Sequence, residues 1–113
     1  MKNEKYNGWT NYETWVVNLW MDNSEGLHDH WVNTARYIYE HRAEEQKHFS
    51  RMEDAVCILA EHLKEDHEEA KDEILENMKL TASLWADLLG AALAETNWRE
   101  IAAHLLENVE VEA

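Results

Sequence analysis

The chain has 113 residues, enough for one domain with a single modest core. Its 24 Asp and Glu against 10 Lys and Arg leave a formal net charge of -14, which disfavours nucleic acid and anionic membranes as partners and favours basic proteins. Hydrophobic residues at 45% set it apart from disordered acidic chains, zero Pro and 3 Gly argue against turn-rich β folds, and 1 Cys excludes an intramolecular disulfide.

The expected fold is all-α, a single-domain bundle of about five helices. The first helix is expected near Thr10, whose spacing to Glu13 is that of a capping box. Tyr12, Trp15, Val16, Leu19 and Trp20 follow at i, i+3, i+4, i+7 and i+8, a one-sided stripe that predicts the core face. Residues 22–26 break it. A second helix is expected from Glu25 into the early forties, burying Leu27, Trp31, Ala35 and Ile38 with Tyr37 and Tyr39 on its flanks. The polar stretch 41–48 gives it no sharp stop.

Ser50 and Glu53 repeat the capping-box spacing and open a third helix with Met52, Ala55, Val56, Leu59 and Leu63 as its core face. Residues 61–76 either continue this helix or break near Asp66 and His67. Ile74, Leu75 and Met78 restore an apolar face afterwards. A fourth helix, capped by Thr81 or Ser83 or merged with the third, is expected to bury Leu80, Leu84, Trp85, Leu88, Leu89 and Ala92. Gly90 lies within it at a cost of about 1 kcal/mol relative to Ala. Asn97 caps a fifth helix, with Glu100 at the box position and Trp98, Ile101, Ala102, Leu105 and Leu106 as its stripe. Residues 1–8 and 109–113 are expected to be loosely held. Thr10-Asn11-Tyr12 and Thr96-Asn97-Trp98 echo one another, most simply because both start a helix.

The run YNGWTNYETWVVNLWMDN, residues 6–23, resembles the opening of a group of short uncharacterised phage and plasmid proteins. Their shared pattern is Gly-Trp-x-Asn-Tyr/Trp-x-Thr-Trp-x-x-x-Leu-Trp-x-x-Asn. Gly8, Trp9, Asn11, Tyr12, Thr14, Trp15, Leu19, Trp20 and Asn23 match it. The later WREIAAHLLEN, residues 98–108, is similar to the closing helix of that group. The matches span about a quarter of the chain. The resemblance implies a mobile-element origin and carries no catalytic residues with it.

The functional signal lies outside the resemblance. Residues 61–76 hold 8 acidic side chains against Lys64 and Lys71. Glu61, Glu65, Glu68 or Glu69, Asp72 and Glu76 fall at helical spacing on one side, a row about 22 Å long with a carboxylate every 5–6 Å or so, and Glu61, Glu65, Glu68, Glu69, Asp72, Glu73 and Glu76 are the expected partner-binding residues, with Trp9. Two lysines cannot neutralise it through i, i+4 pairing. A basic nucleic-acid groove would accept such a row much as it accepts a phosphate backbone; the plainer alternative is a solvated helix face. The expected partner is therefore a basic nucleic-acid-binding host protein, engaged without direct nucleic-acid or membrane contact. The expected role is non-enzymatic inhibition of a defence complex of anti-CRISPR or anti-restriction type.

Two alternatives remain. Trp9, Trp15, Trp20 and Trp31 are dense enough for an adaptor that docks through an aromatic surface, with Trp9, which precedes the first helix, the best candidate for exposure. Glu25-x-x-His28 and Glu45-x-x-His48 have the spacing of carboxylate–histidine metal bundles, but seven His among 24 acids produce such pairs by chance. Cys57 reads as a structural thiol. No phosphate-binding Gly loop, nucleophile elbow or zinc motif is present, so no cofactor is expected. The start carries no apolar signal region, and the expected location is the cytoplasm of a bacterial host.

Overall fold

A computed structural model of the chain describes residues 5–107 and 109. Their regular structure is five helices: α1 Tyr12–Asn23, α2 Glu25–His41, α3 Arg51–Asn77, α4 Leu84–Glu95 and α5 Trp98–Leu106. No strand occurs among the described residues; the two isolated β-bridges, Tyr6 with Trp9 and Gln46 with Phe49, each close a tight turn. The first of these turns has Asn7 at φ 50 and Gly8 at φ 90, the paired positive angles that an Asn-Gly hairpin turn supplies with little strain.

Side-chain caps start every helix. Ser50 and Glu53 form the expected reciprocal box at α3. Ser83 caps α4 and Asn97 caps α5. At α1 the expected cap is off by one residue. Asn11, not Thr10, accepts the Thr14 N–H, because the Thr10 N–H is turned toward the Glu100 carboxylate at 2.9 Å. The acidic stretch does not break near Asp66 and His67: α3 runs for 27 residues, about 40 Å. It ends on Met78 and on Lys79, which takes the left-handed φ of 60. There the Leu80 N–H reaches back to the Leu75 carbonyl at 2.8 Å, and the Lys79 N–H to that of Glu76 at 3.1 Å. These are the two bonds of a Schellman stop.

The core is built by α2, the first half of α3 and α5. Trp31, Ala35, Ile38, Ala55, Leu59, Leu63, Ile101, Ala102 and Leu106 are all nearly inaccessible. The apolar stripe of α5 is buried throughout, as its spacing predicts. Leu27 is the exception on α2, standing exposed in the first turn. Arg51 fixes the start of α3 to the end of α2: its Nε donates to the Tyr39 carbonyl at 2.9 Å and its guanidinium lies 4.3 Å above the Tyr39 ring.

Two expected core faces are corrected. In α1 the apolar stripe turns outward. The helix buries Thr14, Asn18 and Met21, while Tyr12 and Trp20 are exposed and Trp15, Val16 and Leu19 are half-buried. The Thr14 hydroxyl bonds Asn11 and Asn97, and Asn18 Nδ2 donates to Asp22 at 3.0 Å, while the buried Asn18 Oδ1 has no hydrogen-bond partner among the described residues. In α4 no residue is buried at all. Leu84, Trp85, Leu88 and Leu89 stay exposed because α5, not α4, fills the apolar side of α3. The second half of α3 with α4 thus forms an arm beyond the core. The radius of gyration, 15.4 Å, exceeds the roughly 13 Å of a compact chain of this length accordingly.

Most residues of the expected loose ends, 1–4 and 110–113, lie outside the described residues. Within those ranges Tyr6 packs edge-on against Tyr12, with ring centroids 5.2 Å apart, and Val109 is 2% exposed.

Candidate functional site: an acidic row and an apolar ledge

The continuity of α3 decides the geometry of its carboxylates. At about 100° per residue, positions 61, 65, 68, 69, 72, 73 and 76 fall within an arc of roughly 140°. Leu59 and Leu63, the core anchors of the helix, lie outside that arc. Glu61, Glu65, Glu69, Asp72, Glu73 and Glu76 are exposed and Glu68 is half-buried. The helix thus brings all seven to one side. Among the described residues the ion pair that reaches this row is Lys71 Nζ to Asp72 Oδ1, at 3.1 Å. Lys64 stands exposed beside it. At its start the row meets Arg42, whose Nη1 lies 2.9 Å from His62 Nε2 and which lines a hollow with Cys57, Glu61 and Glu65.

Trp9, expected on the surface, is not part of this site. It is half-buried against the core, edge-on to His104 with ring centroids 5.2 Å apart. The Asn7-Gly8 turn, closed by the Tyr6–Trp9 pair of hydrogen bonds at 2.7 and 2.8 Å, folds Trp9 back onto the bundle. Trp31 is buried as well, and His67 stacks on it at 6.2 Å. Trp20, 67% exposed, is the aromatic that stands out from α1.

The N-terminal pattern residues otherwise serve the fold. Asn11 caps α1 and donates its Nδ2 to the Glu95 carbonyl at 2.7 Å. The Thr14 hydroxyl donates to Asn11 Oδ1 at 2.6 Å and accepts the Asn97 N–H at 2.8 Å. Asn97 Nδ2 donates to the Thr10 hydroxyl at 2.9 Å. The echo between Thr10-Asn11 and Thr96-Asn97 is therefore a contact: the starts of α1 and α5 hydrogen-bond to one another. Spacing along the chain shows that each is a helix start, but not that they meet.

The second surface, missed by sequence reasoning, is apolar. Ile74 (55% exposed) and Met78 (64%) on α3 join Leu84 (63%), Trp85 (55%), Leu88 (51%) and Leu89 (43%). The signal available beforehand was α4 itself, whose twelve residues LWADLLGAALAE leave few polar positions for a solvent face.

Other chemistry-bearing groups are scattered. Glu25 and His28 are both exposed on α2, and Glu45 and His48 lie in the α2–α3 loop, where i, i+3 spacing places nothing on a shared helix face. Among the described residues no group of three or more His, Cys, Asp or Glu is arranged to hold a metal. Cys57 is half-buried, and Arg99 Nη1 donates to its sulfur at 2.8 Å. A groove of about 420 Å³ between α2 and α3 is lined by His30, Asn33, Thr34, Tyr37, Arg42 and His62. No helix among the described residues is long and apolar enough to cross a membrane.

Comparison with protein families matches residues 2–111 to a family of unknown function, DUF7249. The chain belongs to that family. No curated protein and no solved structure matches it. Because the match spans the bundle and the arm alike, the acidic row and the apolar ledge both lie inside the family's domain.

Proposed function

We propose that this chain is a non-enzymatic inhibitor carried by a phage or other mobile element, which occupies the basic nucleic-acid channel of a host defence complex. The observation that carries the reading is the run of seven carboxylates along one side of an uninterrupted α3. Spread over about 22 Å of helix axis, they place one charge per roughly 3.7 Å, close to the 3.4 Å per phosphate of one DNA strand. The resemblance of residues 6–23 to phage and plasmid proteins supports the origin. A charge of -14 supports fast association with a cationic groove and disfavours nucleic acid itself as the ligand.

The test is capture of partners from host lysate on immobilised protein at low and moderate salt. A mimic retains a basic nucleic-acid-binding protein at low salt, loses much of it as screening shortens, and yields it to added DNA or RNA. Changing Glu65, Glu69, Asp72 and Glu76 to Lys should abolish capture while leaving the helical spectrum intact. Undiminished capture by that variant sinks the proposal. A second reading, an adaptor docking through aromatic side chains, is favoured by Trp20 at 67% exposure. It requires binding that survives salt and fails in Trp20→Ala.

A further inference from the structure

We infer that the α3–α4 ledge is the contact between two copies of this chain, which pair through antiparallel α4 helices and leave both acidic rows facing outward. The inference does not depend on what the rows bind. Three observations carry it.

The first is area. A 12-residue helix is marginal alone and normally persists by burying an apolar stripe. On α4 that stripe is uncovered. Leu84, Trp85, Leu88 and Leu89 are 43–63% exposed, and Ile74 and Met78 extend the surface onto α3 at 55% and 64%. At about 100 Å² each, they present roughly 600 Å² of apolar surface, the upper end of what a monomer's largest patch shows. Each partner in a standard interface buries about 800 Å². Thr81, Ala91 and Ala92, all at least partly accessible, bring the face toward that size. Residues 1–4, 108 and 110–113 hold Met1 and Val111 as their large apolar side chains, too little to cover it.

The second is self-complementarity. Between α3 and α4 lies a groove of about 240 Å³ lined by Ala70, Ile74, Leu89 and Ala92 beside His67 and Lys71. It has room for a bulky apolar side chain. Trp85 precedes Ala92 by two turns, about 10 Å along the same side of α4. A second α4 running antiparallel, about a two-fold axis between Leu88 and Leu89, therefore sets each Trp85 opposite the other copy's Ala92, at the groove. Knob and hole belong to one surface, as an isologous contact requires. The same register pairs Leu88 with Leu89 and Leu84 with Leu93.

The third is charge. At about 100° per residue, His67, Ala70, Lys71 and Ile74 centre roughly 180° from the acidic row on α3. Their groove is lined by no carboxylate, although the chain carries -14. The carboxylates of α4 are Asp87 and Glu95, both exposed. In the antiparallel register Glu95 faces the other copy's Ala82, next to the Ser83 that caps α4, where the helix dipole favours negative charge. Asp87 faces Gly90. No carboxylate of α4 meets another, and the longer-range repulsion between the two acidic bodies is screened by salt.

The test is sedimentation velocity of the full chain from low to high micromolar concentration, at low and moderate salt. The mass should rise reversibly from one chain to two. The association should tighten severalfold at the higher salt, as screening removes repulsion. Leu88→Glu, which places two carboxylates beside the axis, and Trp85→Ala should each weaken it at least about tenfold. Trp20→Ala, at the exposed aromatic of α1, should leave it unchanged. At concentrations where the chain is monomeric, both α4 variants should keep the parent's helical spectrum and melting temperature, because neither side chain is buried in the monomer. In the unmodified chain, hydrogen exchange at α4 amides should slow as concentration rises while that at α1 amides does not; this measurement decides the matter if a variant fails to fold. A chain that stays monomeric throughout, a dimer indifferent to Leu88→Glu, or one that weakens with salt overturns the inference. The outcomes separate from those of the preceding test: Leu88→Glu disrupts the ledge and spares the acidic row, whereas the Lys substitutions disrupt the row and spare the ledge.

Discussion

Thr14 gives the sharpest test of how the N-terminal pattern works. It is fully buried, and its hydroxyl makes two hydrogen bonds: as donor to Asn11 Oδ1 at 2.6 Å, and as acceptor from the Asn97 N–H at 2.8 Å. Thr14→Val keeps the shape and removes both. The Asn97 N–H then loses its partner at the start of α5, at about 1–3 kcal/mol, and the bond to Asn11 is lost besides, so the total is about 2–3 kcal/mol. Thr14→Ser retains both bonds and loses one buried methyl, about 1 kcal/mol. With an unfolding entropy near 2.1 cal/mol/K per residue, 113 residues give about 0.24 kcal/mol/K. The expected drop in melting temperature is therefore about 8–12 °C for Val and about 4 °C for Ser. Circular-dichroism melts, with urea titration to verify an unchanged m-value, measure it. If Val is no worse than Ser, the hydroxyl does not hold α1 to α5. If Val melts normally yet loses partner capture, the pattern is a binding surface and not a clasp.

Two further substitutions test the division into core and arm. Leu106→Ala, at a site with no exposed surface, should cost about 2–5 kcal/mol, whereas Leu88→Gln at 51% exposure should stay within about 0.5 kcal/mol of the parent; comparable losses in urea would mean that α4 is packed. Lys79 holds a left-handed φ of 60 where glycine is usual, so Lys79→Gly should stabilise the chain by roughly 1 kcal/mol, and a destabilised variant in the same titration would show that the Lys side chain anchors the turn.

Local chemistry was legible wherever a residue's role is set by near neighbours. Ser50 with Glu53, Asn97 with its first turn, and the stripes of α3 and α5 follow from spacing, because capping and amphipathicity act within a turn or two. The acidic row was legible for the same reason: once α3 is a helix, 61, 65, 69 and 76 must share a side. What spacing could not supply was which side of each helix meets the rest. In α1 the apolar stripe and the buried stripe are different faces. The buried one contains Thr14, whose hydrogen bonds to Asn11 and Asn97 offset the loss of water, and Asn18, whose Nδ2 bonds Asp22 while its Oδ1 is buried without a partner among the described residues. Trp9 was misplaced because the two-residue turn at Asn7 and Gly8 reverses the chain and returns the ring to His104.

The sequence by itself determined an all-α chain of about five helices, the caps of the third and fifth, and a one-sided row of carboxylates on the third. Periodicity and charge are properties of single segments, and segments carry them wherever they pack. Only the tertiary structure decided that α5 and not α4 covers the core face of α3 and that Trp9 folds inward. It also decided that the most hydrophobic helix is left uncovered. Those outcomes depend on competition among helices for a limited apolar surface. The α5 helix wins that competition because Trp98, Ile101, Ala102, Leu105 and Leu106 all bury together, and because Asn97 ties its start to Thr10 and Thr14.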